Sequence, residues 1–515
     1  MNHFKAMIIL GCAVFFASCS QTVSAPKEDD SATESSSSKK GDKSSSSKEK
    51  VSSSSFAEDL DEDCVGESGN AWDGTTAKDF ACGAGTKLSP YIILTAEQLA
   101  KLSFIVGANE TEYQGKYYKL GADIILNEGK IIDDKGALVA DSAKLHKWTP
   151  IGNSSVAFSG NFDGDGHTVS GMFINTTSSH NGLFGNNSGT VQNLTVENSW
   201  VSGGKNTAGV VAVLRGDGIV RNAKNKSSVI GKAESTAGVV ALTSYVYSKK
   251  GIIENCGNYG FIQGEKLVAG IVASSDGGLT IRSVTNEGEI EGTYGVGGIA
   301  GHLGSSTDLD EAINNANISG KEFTAGIASY FGDIYCPANK IYGFMSNVKN
   351  VGKITGTNYT AGIVGEAQCV SINEASNVND IVGNKFSGGI SGHAQRAKID
   401  AVYNNGDIFG SYDVGGIVGY NEEGVTSAAY STGKVDGDSL VGLMIGYNYN
   451  TTMADYYYLE QGEQEPFGLN NGGGVATPKT SDEMKSEDFA ELLGDEFVYD
   501  SELNDGYPIL KLEEE

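Results

Sequence analysis

The chain has 515 residues, with 70 glycines, only 7 prolines and a formal net charge of −28. A surface this acidic repels phosphate backbones and anionic headgroups, which argues against nucleic acid as a partner. Glycine at about twice ordinary usage argues against a set of ordinary globular domains.

Residues 1–18, MNHFKAMIILGCAVFFAS, carry one lysine, no acid and an apolar run from Ala6 to Ala17. This is the layout of a secretory signal, and the run is too short to span a bilayer. It ends FASC, which resembles the lipobox of bacterial lipoproteins. The resemblance implies lipidation of Cys19 as the first mature residue; the alternative is a plain cleaved signal with Cys19 as an ordinary thiol. Cutting at Cys12 would leave too short an apolar segment for export. Ser20 replaces the aspartate that would favour inner-membrane retention, so the implied location is the outer membrane, lipid-anchored and exposed at the cell surface. Residues 19–58 read as a disordered tether. Thirteen serines fall between 31 and 55, and from Gln21 to Ser55 six lysines balance six acids. Such a segment cannot bury enough apolar surface to offset its ordering entropy.

Residues 59–180 are expected to form an N-terminal cap and the first coils of a repeat structure. Cys64 and Cys82 are close enough to form a disulfide outside the cytoplasm. A Cys336–Cys369 pair is the weaker second case. No cysteines have C-x-x-C spacing, so structural zinc is not expected, and no cofactor is. TAEQLAKLSFIV predicts a helix with Thr95 as N-cap and Gln98 completing a capping box, placed over the N-terminal end. NFDGDGHTVSG (161–171) follows, with Asp163, Asp165 and His167 alternating with small residues. Gly164 and Gly166 permit positive φ, and the aspartates can serve turn amides. An EF-hand loop would need a closing glutamate, but the twelfth residue from Asp163 is Ile174. A catalytic reading lacks a partner group, so the stretch is read as a turn.

From 181 to 446 one phrase recurs, as in NGLFG, TAGVVA, VGGIAG and VGGIVG. Its aligned glycines are Gly182, Gly209, Gly238, Gly270, Gly298, Gly326, Gly362, Gly389 and Gly416, at spacings of 27, 29, 32, 28, 28, 36, 27 and 27. A tenth copy puts Leu443 in that slot. A period in this range is the signature of a solenoid. Ahead of each phrase stands a β-branched residue: Val201, Val229, Ile262, Ile290, Ile318, Ile354, Ile381, Ile408 or Val435. Four residues earlier, seven copies have asparagine: Asn225, Asn258, Asn286, Asn314, Asn350, Asn377 and Asn404. Alternation over short runs is strand periodicity. The expected fold is all-β, a parallel β-helix of about ten coils and roughly 45–50 Å, with the β-branched residues stacked inward and the asparagines bonded from coil to coil. Tandem β-sandwiches would need longer periods.

The GGIVG phrase with its N-x-G-x-I-x-G strand resembles the GLUG repeat of bacterial surface proteins, described in N-terminal regions of IgA-specific metallopeptidases and in adhesin-like proteins. The resemblance runs from about Trp72 to the closing FVYDSELNDGYPIL. It implies a right-handed β-helix and surface display, and carries no catalytic residues; the H-E-x-x-H zinc motif is absent. Residues 447–515 are expected to cap the C-terminal end, with TSDEMKSEDFAELLG as its helix beside GYPIL.

The leading functional expectation is a non-enzymatic lipoprotein for adhesion or binding of an extracellular glycan or protein. Its candidate contacts are Tyr330, Phe331, Tyr335 and Tyr342, near Phe344 in the longest repeat. A second aromatic group, Tyr447, Tyr449, Tyr456, Tyr457 and Tyr458, follows the last coil; packing is the competing role for both. A carbohydrate-active β-helix enzyme is the runner-up, and a structural spacer the third. His146, His180, His302 and His393 are scattered singly and are expected to be structural or solvated.

Overall fold

The computed structural model describes residues 64–244, 246, 248–333 and 340–513. The signal, Cys19 and the serine tether lie outside the described residues, as do Tyr335 and Cys336.

The body is an all-β parallel solenoid. One coil shows the plan: strands Leu279–Asn286, Ile290–Glu291, Tyr294–Gly297 and Ala300–Leu303 follow one another around the core. The next coil pairs with all four in parallel, through Asn286↔Asn314, Ile290↔Ile318, Val296↔Thr324 and Ala300↔Ala328. Stacking produces one long sheet of 25 strands and two further sheets of 9 and 10. The rod has about 13 turns rather than ten, or roughly 60 Å at one strand spacing per turn. The additional turns lie on both sides of the glycine repeat, and after its last copy Phe467–Asn471 stacks on Ile445–Tyr449. Strands Tyr91–Ile93, Tyr117–Leu120 and Asn161–Asp163 already stack in parallel beneath Thr190–Gly203. The first two of these strands lie on coils without the glycine phrase, so its count leaves them out, whereas Asn161–Asp163 begins the coil that carries Gly182.

The core is columnar. Val229, Ile262, Ile290, Ile318, Ile354, Ile381 and Ile408 sit in register and are at most 1% exposed. Beside them runs an asparagine column. Asn225 Nδ2 donates to Asn258 Oδ1, and the pattern repeats through Asn286, Asn314, Asn350, Asn377 and Asn404 at 2.7–2.8 Å. Each Nδ2 also donates to a backbone carbonyl two residues on, as Asn286 does to Gly288 at 3.0 Å. All seven side chains are fully buried. A half-satisfied amide here would be costly, whereas a continuous ladder satisfies its neighbours.

At the N-terminal end, helix α1 (Ala96–Gly107) has Thr95 as N-cap and a complete capping box with Gln98. Leu99, Leu102 and Ile105 enter the main core. The Cys64–Cys82 disulfide and a bond from Gln98 Nε2 to Val65 O tie the preceding segment to this helix. Cys369 is also disulfide-bonded, with its partner outside the described residues.

The C-terminal segment takes a different position from the expected end cap. Helices α2 (Ser481–Met484) and α3 (Glu487–Leu493) and the hairpin of Phe497–Val498 with Ile509–Leu510 pack on the flank of the last coils. Met484, Phe489, Leu493, Phe497 and Leu510 cover Tyr403, Tyr430 and Tyr457, one outward column on three successive coils. The carboxylate of Glu513 reaches the hydroxyls of Ser376 and Tyr403 and the ammonium of Lys349. Outward tyrosines need cover, and the chain folds back to supply it. At the end itself, the last strands Phe467–Asn471 and Thr477–Lys479 are flanked or interrupted by Pro466 and Pro478. Proline removes a backbone donor and blunts an exposed edge.

Candidate functional site

The outward positions of the two shorter sheets carry the chemistry. From Gly298 onward, the side chain four residues after the aligned position points away from the core. His302, Tyr330, Glu366, His393, Tyr420 and Tyr447 occupy this position on successive coils and pair in register. Three residues before the glycine, Phe323, Tyr359, Phe386 and Asp413 form a parallel column. Their φ values are +54°, +54°, +57° and +54°. Bulky side chains rarely adopt this conformation, and the surrounding coil must hold it.

The two columns merge into one aromatic ribbon. Phe323 stacks on Tyr359 at 4.5 Å between ring centroids, and Tyr359 meets Phe386 at 4.8 Å. Phe386 lies 5.9 Å from His393, which stacks on Tyr420 at 4.9 Å, and Tyr420 on Tyr447 at 4.9 Å. Tyr294 meets Phe323 at 5.2 Å, and His302 meets Tyr330 at 5.2 Å. Because the rings pile along the rod, their faces are largely used by one another. What faces solvent is a strip of ring edges and polar groups running along the axis.

Charge is concentrated at the middle of the strip. His393 lies between Glu366, at 3.5 Å, and Glu422, at 3.6 Å. Burial disfavours the imidazolium, but the two carboxylates outweigh it and raise the pKa above its ordinary value. The Asp413 carboxyl is pushed up to about 6 by burial, against the opposing charges of Lys385 and His393. Asp413 Oδ1 is enclosed and accepts no hydrogen bond from the described residues. Gln368 donates to Glu366 at 2.6 Å and Gln395 to Glu422 at 2.8 Å. Lys385 lies 4.4 Å over the Phe386 ring.

The sequence candidates divide. Tyr330 is in the ribbon, and its hydroxyl donates to Gln368 at 3.1 Å. Phe331 is not a surface contact: it is fully buried in the core, because adjacent strand residues point to opposite faces. Tyr342 is half-buried, with Lys340 4.8 Å over its ring, and lies outside the ribbon. Tyr447 closes the ribbon, with Tyr449 6.4 Å away. Tyr456, Tyr457 and Tyr458 are buried. Sequence reasoning missed Phe323, Tyr359, Phe386, His393 and Tyr420. The signal was present as aromatics at fixed offsets, minus three and plus four, from the aligned glycines.

NFDGDGHTVSG folds as a turn. Asp163 Oδ1 accepts from the Asp165 amide at 2.9 Å and from Asn193 Nδ2 at 2.8 Å, while Oδ2 accepts from Gln192 Nε2 at 2.8 Å. His167 Nδ1 is 3.2 Å from Asp123, and Lys119 is 3.2 Å from Asp165. Positive φ falls on Asp165 and Gly166, at +51° and +84°, and not on Gly164. Gly164 is small for another reason: an added Cβ would lie 2.4 Å from Asn193 O. Among the described residues, no group of three or more His, Cys, Asp or Glu is placed to hold a metal ion.

No family model matches the chain. It is similar over 126 residues, at 32% identity, to a "Putative Gly-rich membrane protein" of Evansella cellulosilytica, covering 24% of this chain and 13% of that protein. Over 147 residues it is 35% identical to halomucin of Haloquadratum walsbyi, covering 27% of this chain and 1% of that protein. The chain thus matches only a small part of either relative. Among solved structures it resembles a "putative immunoglobulin A1 protease" from Bacteroides ovatus, at 16% identity and a TM-score of 0.31, over 85% of this chain and 98% of that one.

Proposed function

We propose that the chain is a surface-displayed lipoprotein whose solenoid binds an extended extracellular glycan or protein, in adhesion or ligand capture, without catalysing a reaction. The observation that supports this is the aromatic ribbon. It joins Phe323, Tyr359, Phe386, His393, Tyr420 and Tyr447 across five coils of an outward face. Stacking alone would stabilise a rod, but tyrosine hydroxyls, glutamates and amides interleaved with the rings suit a polar polymer lying along the axis. Ring edges and hydroxyls contact such a chain over many units, so modest contacts sum. The lipid at Cys19 and the neutral tether would hold this face clear of an outer membrane.

The test is affinity electrophoresis of the full ectodomain through a panel of soluble plant polysaccharides and host glycoproteins, with Tyr359→Ala and Tyr420→Ala as variants. A binder is retarded by at least one ligand, and both variants lose that retardation while keeping the fold. A spacer migrates unchanged in every gel. A ligand shortened during the run would identify an enzyme instead. For the anchor, Cys19→Ala should abolish fatty-acid labelling and release the protein from membranes.

A further inference from the structure

A second surface lies at the opposite end of the rod from the middle of the ribbon. Between the C-terminal turn of α1, the loop 147–153 and the turn 174–181 is a groove of about 420 Å³. Its walls include Lys147, Asn153, Asn175, Thr176, Ser179 and His180, and no aspartate or glutamate. The chain has 65 acidic residues, and this concavity is lined by none of them.

One cation stands in the wall, and two more bond to residues in or beside it. Lys147 is exposed in the wall. Lys232 Nζ donates to Asn175 Oδ1 at 3.0 Å and to Thr176 O at 3.2 Å, both wall residues. Arg215 donates to Ser154 O at 3.4 Å, beside Asn153. Burial first, and the Arg215 charge second, lower the His180 pKa. Neighbouring lysines are neutralised: Lys205 and Lys266 pair with Glu234 at 3.0 and 2.8 Å, and Lys249 with Asp217 at 2.9 Å. Lys232 and Arg215 instead meet neutral oxygens. Among the described residues no ion pair reaches Lys147, Arg215 or Lys232, so their charge is not cancelled locally. A concave wall bearing one sign of charge concentrates the opposite ion.

We infer that this groove binds the carboxylate of an acidic sugar, with the cations holding the anion and the hydroxyl- and amide-rich wall meeting the ring hydroxyls. The volume fits a small ligand of one or two sugar rings, and charge-assisted hydrogen bonds supply the strongest contacts. This site is independent of the aromatic ribbon and does not need it.

The test is calorimetric titration of the full ectodomain with digalacturonate, with the neutral disaccharide lactose and with inorganic sulfate. Binding of digalacturonate that weakens with added salt is expected, with lactose and sulfate silent. Lys147→Gln and Arg215→Gln should each weaken it roughly tenfold, the loss of one charge-assisted contact. Lys353→Gln, on a distant coil, should leave it unchanged. These side chains are exposed, so unaltered melting temperatures would certify that the variants fold. Silence with digalacturonate, equal affinity for lactose, or indifference to both groove substitutions would overturn the inference. Sulfate binding as tightly as the uronate would reassign the groove to free anions and overturn the sugar.

Discussion

A Cβ added to Gly270 would lie 2.4 Å from Asn286 Oδ1, one coil away, and 2.5 Å from Gly298 O. The repeat's two signatures, its glycine and its asparagine, are therefore halves of one contact. Gly238 faces Asn258 at 2.2 Å and Gly326 faces Asn350 at 2.2 Å in the same way. Where the asparagine column ends, Ser431 pairs with Asn404, and the next glycine slot holds Leu443. Gly270→Ala should cost about 2–3 kcal/mol through overpacking. Asn286→Ala should cost a similar amount by stranding Asn258 and Asn314. In urea denaturation the double variant should recover about 1 kcal/mol of the summed loss. Strict additivity would separate the two positions.

The 161–171 turn predicts an order of damage. Asp163→Asn retains one acceptor oxygen and should lower stability by about 1 kcal/mol. Gly164→Val drives its side chain toward Asn193 O and should cost several times more. A chelator should not move the melting point of either variant or of the parent. Chelator sensitivity in the parent, abolished by Asp163→Asn, would make the turn a cation site.

His393 predicts a pH dependence. Its pKa is raised on folding by Glu366 and Glu422, so the stability this group contributes is complete below its unfolded value of about 6.5. It is lost as pH rises through the folded value. Glu422 is lowered, chiefly by its bond to His393, so its contribution is present above its unfolded value and lost as pH falls through the folded one. Parent and His393→Gln should differ most in melting temperature on the mildly acidic side of neutrality and converge at alkaline pH. A constant difference across pH would mean that ring packing alone accounts for the histidine.

Asp413 has the opposite character. Folding raises its pKa from 3.8 to about 6, so the folded state takes up a proton and stability falls as pH rises through that window. Asp413→Asn should stabilise the protein at pH 7 by on the order of 2 kcal/mol and change little near pH 3.5. Destabilisation at neutral pH would show that the carboxylate has a partner essential to the fold.

The recurrence of one phrase along the chain was enough to establish the solenoid, the inward β-branched column and the asparagine column, and a four-residue local pattern was enough for the capping box at Thr95 and Gln98. Stacking is a one-dimensional constraint: residue 290 meets residue 318 because each coil repeats the last, so the requirement recurs every 27 to 36 residues along the chain. The ribbon obeys the same interval. It escaped notice because its columns mix tyrosine, phenylalanine, histidine and acids, and only the fold reveals that a minus-three residue, Phe386, stacks against the plus-four residues His393 of its own coil and Tyr420 of the next. Segments outside the repeat have no such register. That Tyr403, Tyr430 and Tyr457 take α3 as their cover, that Glu513 returns to Lys349, and that the end of α1, the loop 147–153 and the turn 174–181 leave an acid-free groove all depend on the path of the chain through space. Those contacts join residues tens or hundreds of positions apart with no shared period, so tertiary packing decided them.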